Sequence, residues 1–172
     1  MNHGIAIVGG NGSGKTTLGK YLSDLIGYKH MDVEDYYFLD SNIPYAKART
    51  KEEVQDLILA DIETYHRFIV SSVNADMGPR INALYEYIVY IDVPLDTRLE
   101  RIRKRAFSKF GNRVLTGGDM YEQEEKFFRF VANRTMEKTD TWIQSMSCPV
   151  IYIDGRLSIE TNAQLIKEIL NK

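Results

Sequence analysis

Short apolar runs alternate with amphipathic stretches along the whole chain. The runs Ile5–Val8, Tyr28–Met31, Phe68–Val73, Tyr87–Val93 and Val150–Asp154 have aliphatic or β-branched character, and each leads into a turn or helix signal. They are predicted as strands. The stretches between them carry helical spacing. After the first run, Leu18, Leu22, Leu25 and Ile26 share one face, and Gly27 stops the pattern. Thr50-Lys51-Glu52-Glu53 is a capping box, followed by Val54, Leu57, Ile58, Asp61, Ile62 and Tyr65. Asp96 is expected to cap a basic helix running to about Phe110. Asp119 to Glu122 resembles a second capping box, opening one long helix through Trp142 and Met146. Ser158 is expected to cap a last helix holding Ile159, Leu165, Ile166 and Ile169. Alternating β and α segments predict an α/β fold, a parallel sheet with helices on both faces. Ligands in such folds sit beyond the carboxyl ends of the strands. That rule points to Asp32–Asp35, Ser71–Asp76, Asp92–Asp96 and Asp154–Leu157.

The residues just past the first strand carry the strongest chemistry. Gly9 to Thr16 read Gly-Gly-Asn-Gly-Ser-Gly-Lys-Thr, a complete G-x-x-x-x-G-K-[ST] phosphate-binding loop between a strand and a helix. Gly9, Gly10, Gly12 and Gly14 let the backbone N–H groups approach phosphate oxygens, with Asn11 and Ser13 completing the cradle. The following helix aims its unpaired N–H groups and a charge of about +0.5 at the same point. Lys15 is placed to reach the β- and γ-phosphates, the Thr16 hydroxyl to ligate Mg²⁺, and Thr17 to lie near the α-phosphate.

Length and composition narrow the rest. The 172 residues suit one domain with a sizeable core, 1–172, and no repeat or linker divides it. A net charge of −2 does not call for nucleic acid or an acidic membrane. The single cysteine, Cys148, excludes an internal disulfide framework and fits a reducing compartment. Met1-Asn2-His3-Gly4 runs straight into the first strand, and no apolar stretch is long enough to span a bilayer. The chain is therefore expected in the cytoplasm, as a monomer or homodimer.

Two further clusters complement the loop. Asp32-Val33-Glu34-Asp35 places three carboxylates at the end of the second strand. On an extended chain Asp32 and Glu34 point the same way. Asp32 is assigned to a Mg²⁺-bound water, and Glu34 or Asp35 to an acceptor hydroxyl; the bland alternative is a solvated acidic turn. Tyr36, Tyr37 and Tyr45 lie close by and either stack on a base or sugar or pack the base of a flap. The second cluster is basic: Arg98, Arg101 and Arg105 fall on one helical face. Gly111-Asn112 and Gly117-Gly118 bound the segment that follows. A basic helix leading into such a segment suits a lid whose arginines cover the transferring phosphoryl group. Its alternatives are a solvated basic face or an RNA patch.

Together these residues resemble the small P-loop kinases of the nucleoside-monophosphate kinase and shikimate kinase-like superfamily. Gly9–Thr17, Asp32-Val33-Glu34, the strand Val89–Pro94 with Arg98–Arg105 after it, and Ile153-Asp154-Gly155 carry the likeness over nearly the whole chain. The resemblance implies a three-layer α/β/α P-loop NTPase fold with a five-stranded parallel sheet, a substrate flap (about 38–66) and a lid (about 106–120). It implies ATP, Mg²⁺ and γ-phosphoryl transfer to a small molecule. By the same resemblance Lys15, Asp32, Glu34, Arg101 and Arg105 are catalytic, and Arg101, Arg105, Asp154 and Gly155 contact the nucleotide. Thr16 and Asp32 serve the metal. Glu34, Asp35, Tyr36, Arg49, Asn74, Arg80 and Arg134 fall to the substrate. Gly78-Pro79-Arg80 resembles an adenylate kinase segment, but its preceding residues differ, and the Gly-Gly-Gly turn of shikimate kinases is absent.

Other P-loop classes fit less well. No Asn-Lys-x-Asp occurs before the C-terminus, as a GTPase would require, and no Asp-Glu dipeptide occurs, as motor-type ATPases usually carry. Leu115–Asp119 superficially resembles an ABC-transporter signature but reads as a lid tip and helix cap. A small-molecule kinase, with a nucleoside, nucleotide or similar metabolite as acceptor, leads. A regulatory or ATPase module acting on a protein or RNA partner is the alternative.

Overall fold

In a computed structural model of the chain, residues 3–38 and 48–171 are described. The expected Tyr45, and positions 39–47 of the expected flap, lie outside them. The elements run β1 (His3–Val8), α1 (Lys15–Ile26), β2 (Lys29–Asp32), α2 (Val33–Tyr37), α3 (Lys51–Tyr65), β3 (Arg67–Ser72), α4 (Pro79–Asn82), β4 (Tyr85–Asp92) and α5 (Leu95–Phe110). A 3-10 turn, Gly111–Val114, leads to α6 (Tyr121–Asn133), α7 (Glu137–Ser145), β5 (Val150–Asp154) and α8 (Ile159–Leu170). The five strands form one sheet in the order β2-β3-β1-β4-β5. Every pairing is parallel.

Strand alternation divides the core into two layers. Along β1, Ala6 and Val8 face one side with Met31, Val70 and Ile88, and α3 and α7 cover them through Val54, Ile58, Ile62 and Trp142. Ile5 and Ile7 face the other side with Ile69, Val89 and Ile151, beneath Leu18 and Leu22 of α1 and Ile166 of α8. This is the three-layer α/β/α P-loop NTPase architecture that the sequence predicts. Its consequence for function is geometric. β1 and β3 are neighbours, so the phosphate loop after β1, the segment after β3 and the β2 end all open on the same edge of the sheet.

Several local expectations hold. Thr50 Oγ1 accepts from Glu53 N at 3.2 Å while Glu53 Oε2 accepts from Thr50 N at 2.7 Å, so the capping box is closed. Ser158 caps α8 through Thr161 N. Gly27 ends α1 in the left-handed region.

Others are corrected. Asp96 is not the cap of α5; the helix starts after Pro94, and Asp96 sits in its first turn, where a carboxylate still favours the helix dipole. Asp119 caps nothing, because Arg113 engages its carboxylate at 2.7 and 2.9 Å, and Met120 precedes α6 instead. The long helix expected from Asp119 to Met146 is two helices. The chain extends at Arg134, and the break lets α7 press Trp142 edge-on against Tyr85, with Thr139 donating to the Val73 carbonyl at 3.1 Å. β4 begins two residues earlier than predicted for a related reason: Tyr85 is buried between Phe68 and Trp142.

The helical stripe of α3 separates on burial. Ile58 is fully buried, whereas Leu57 is 41% exposed. Ile58→Ala is expected to cost about 2–4 kcal/mol, as cavity-forming core truncations do. Leu57→Ala should stay within about 0.5 kcal/mol. Urea unfolding of the two variants checks this, and equal losses would contradict the packing.

Candidate active site

The phosphate loop is built by backbone conformation. Gly12 and Gly14 have φ of 82° and 98°, a region L side chains avoid, and Gly14 forms the N-terminal boundary of α1 without a side-chain cap. The N–H groups of the first turn of α1 are thereby left for an anion. Lys15 folds back along the loop, and its Nζ donates to the Gly10 carbonyl at 3.1 Å.

Lys15 is the most strongly perturbed cation of the site. Burial lowers its pKa from 10.5 to about 8; Glu34 and Asp32 oppose that shift, and Arg134 and Arg105 add to it. The ammonium therefore sits where water solvates it poorly, which favours a polyanionic partner.

Asp32 and Glu34 stand across from the loop, by a route other than the extended chain the sequence suggests. Asp32 ends β2 and caps α2, with Oδ1 accepting from Glu34 N at 3.1 Å. Glu34 lies in the first turn of α2. Oδ2 of Asp32 accepts from the Thr16 hydroxyl at 2.5 Å. β2 is held against β3 behind them by His30 and Ser71, 2.9 Å apart, and the imidazole packs where a Cβ on Gly19 would collide with it.

The arginines of α5 divide their roles. Arg98 donates to the carbonyls of Val93 and Asn11. Arg101 donates to Gly155 O at 2.9 Å and Ser13 O at 3.4 Å, tying the loop to the turn after β5. Arg105 is exposed and lines the cleft. Arg134 reaches the loop from beyond α6, its Nη1 3.1 Å from Asn11 Oδ1.

These groups enclose a cleft of about 630 Å³. Lys15, Thr16 and Thr17 form its floor, Asp32 and Glu34 one wall, and Arg101 and Arg105 another. Tyr37, Phe38, Ser72 and Phe127 also line it. Ser72 falls within the Ser71–Asp76 stretch to which the strand-end rule points, whereas Phe38 and Phe127 are not among the expected site residues; the Phe127-Phe128 pair after the polar run Glu122–Lys126 is the available signal for the latter.

Other expected substrate residues fall outside the described cleft walls. Asp35 is exposed on α2, and Arg80 is exposed on α4. Tyr36 bonds Asp61 of α3, and Arg49 donates to the Tyr36 carbonyl at 2.8 Å, so both tie α2 to α3 and the residues just before it. Asn74 accepts from Asp76 N at 2.9 Å in the loop after β3. Gly155 packs tightly, since a Cβ there would lie 2.4 Å from Val93 and 3.3 Å from Ser13 O. Asp154 is held at a pKa of about 2, chiefly by its hydrogen bond with Arg156.

The donor set fits magnesium. Among the described residues no cluster of three or more His, Cys, Asp or Glu could hold an ion unaided. A hydroxyl and a carboxylate beside a phosphate loop suit an ion that keeps waters and takes its other ligands from phosphates.

The AAA domain family model matches residues 5–126, from β1 into α6. The chain belongs to that family. Within it the chain is a small P-loop kinase-like protein of the nucleoside-monophosphate kinase and shikimate kinase-like group. "Uncharacterized protein YqaC" of Bacillus subtilis is 31% identical over 179 aligned positions, covering 99% of both chains. A uridine kinase of Borrelia duttonii is 26% identical, over 74% of this chain and 79% of its own. Shikimate kinases match over a shorter stretch, and the chain spans 36–60% of their length. In fold, the chain is similar to a shikimate kinase from Bacteroides thetaiotaomicron, with a TM-score of 0.60, 19% identity and 98% of each chain covered.

The lowered pKa of Lys15 has a measurable consequence. Bound phosphates favour the ammonium, so binding above about pH 8 requires proton uptake. ADP affinity measured without metal should fall about tenfold per pH unit above that point. Lys15→Met should bind weakly with a flat profile. A flat wild-type profile between pH 7 and 9.5 would contradict the assignment.

Proposed function

We propose that this protein is a kinase that transfers the γ-phosphoryl group of Mg-ATP to the hydroxyl of a small molecule, a nucleoside, nucleotide or similar metabolite. One observation carries the reading: Asp32 and Glu34 face Lys15 and Thr16 inside a single cleft that Arg105 also lines. A site that only binds Mg-nucleotide needs one carboxylate, Asp32, for the metal and leaves Glu34 without a task. A site that must orient and deprotonate an attacking hydroxyl gives it one.

The residues divide the work. The loop amides and Lys15 hold the β- and γ-phosphates. Thr16 and Asp32 would hold Mg²⁺, which would supply charge neutralisation at the phosphates. Glu34 accepts the proton of the acceptor hydroxyl. The acceptor oxygen forms its bond to the γ-phosphorus as the bond to the β,γ-bridging oxygen breaks, and ADP leaves with that electron pair. Arg105 faces the equatorial oxygens, where charge accumulates. Arg101 acts by holding Ser13 and Gly155 in register. The uridine kinase and shikimate kinase relatives support phosphotransfer to a small molecule. Among the described residues no helix is long and apolar enough to cross a membrane. A regulatory or ATPase module acting on a protein or RNA partner is the alternative.

Glu34→Gln separates the readings. It keeps the shape of the site and removes the base. Acceptor-dependent ADP release should fall about 100-fold, while nucleotide binding and the slow acceptor-free hydrolysis stay within about threefold of wild type. An ATPase module would show no acceptor dependence for the variant to lose. Retained acceptor-dependent turnover in Glu34→Gln would remove the base from the mechanism.

A further inference from the structure

Beyond Glu34 the cleft does not end. It continues into a second cavity of about 430 Å³ that shares Glu34, Phe38, Ile102, Arg105 and Phe127 with it. Three helices build this cavity, α5 and α6 each with a stripe at helical spacing. α2 gives Glu34, with Phe38 directly after the helix. α5 gives Ile102, Arg105, Lys109 and Phe110. From α6 and its first boundary come Met120, Gln123, Glu124 and Phe127. The proposed base therefore stands at the junction, with phosphates on one side and this cavity on the other.

The lining states what would fit. Phe38, Phe110 and Phe127 offer flat apolar faces, and Ile102 and Met120 fill between them. Gln123 and Glu124 supply a donor, an acceptor and a carboxylate, the groups that read the polar edge of a ring. Charge decides between acceptors. Glu34 and Glu124 oppose Arg105 and Lys109, and Arg105 is already committed to the transferred phosphoryl group in the reading above. The Lys109 ammonium lies 5.1 Å from the Phe110 ring centre, so this cation is drawn onto an aromatic face. Among the described residues that line it, the cavity has no surplus of positive charge for a second phosphate or a carboxylate.

We infer that the second cavity is the acceptor site, and that it takes an uncharged heteroaromatic alcohol, an unphosphorylated nucleoside in chemical class, with its ring between Phe127 and Phe38 and its hydroxyl at Glu34. The inference rests on the kinase reading and narrows it. Phe127 is the main specificity determinant, since it alone of the α6 residues borders both cavities. Gln123 and Glu124 select among ring edges.

The test uses the full chain with Mg-ATP and three acceptor panels: purine and pyrimidine nucleosides, their 5′-monophosphates, and non-aromatic hydroxy acids. Nucleosides should drive ADP release, and the other two panels should not. Phe127→Ala should raise the KM for the working nucleoside about tenfold or more, the loss expected for a stacking ring, with kcat within about threefold. Phe127→Tyr should keep the wild-type KM, and an unchanged thermal shift with ADP shows that each variant is folded. Faster release with monophosphates or hydroxy acids overturns the inference and leaves the kinase reading standing, as does a wild-type KM in Phe127→Ala. Release with no nucleoside also overturns it. The kinase reading itself falls only if no small molecule of any class becomes phosphorylated.

Discussion

The ammonium of Lys15 is the constraint around which the site is arranged. It is tethered to the Gly10 carbonyl, and burial has drawn its pKa down to about 8. A cation in that position costs stability in the empty protein, because the unfolded chain holds its proton more tightly between about pH 8 and 10.5. Stability therefore rises with pH through that window, the sign expected of a group whose pKa falls on folding. The arrangement becomes favourable once phosphates arrive. The loop can hold this state because Gly12 and Gly14 take left-handed conformations and because Arg98 and Arg101 clamp its carbonyls from outside.

Opposing charge is placed so that it does not quench the site. Asp32 is engaged by Thr16 and by the backbone of Glu34, so its carboxylate is oriented across the cleft without pairing directly with Lys15. Glu34 is left on the first turn of α2, facing both the phosphate cleft and the aromatic cavity beyond it. Arg105 closes the third side. The parallel sheet makes this possible. Because β1 lies beside β3 and β3 beside β2, the loop and the carboxylates emerge on one edge only two strands apart.

Much of this was legible in the sequence. The phosphate loop, the five strands and the face shared by Arg98, Arg101 and Arg105 all follow from local spacing, and local spacing is what a sequence displays. Where the structure departs from local spacing, a side-chain partner that spacing does not display decided the outcome. Asp119 looks like a cap until Arg113 takes its carboxylate. One helix became α6 and α7 because Trp142 packs on Tyr85 and Thr139 bonds the β3–α4 loop. Tyr36 and Arg49 look like substrate residues, yet they brace each other and α3. Glu34 and Asp35 are alternatives in the sequence because spacing does not show how the chain turns after β2; helical geometry in α2 brings only Glu34 into the cleft walls. Phe127 carries no motif, and only the packing of α6 beside α5 brings it to the cleft.

The central claim is that the γ-phosphoryl group leaves the loop for a hydroxyl held at Glu34. The most direct measurement follows the label from γ-³²P-ATP in the presence of a deproteinised small-molecule extract, separating inorganic phosphate, protein and organic phosphates by chromatography. The account predicts label in one organic phosphate, formed with equal ADP and lost with Lys15→Met. Label found only in inorganic phosphate, or on protein, would contradict it.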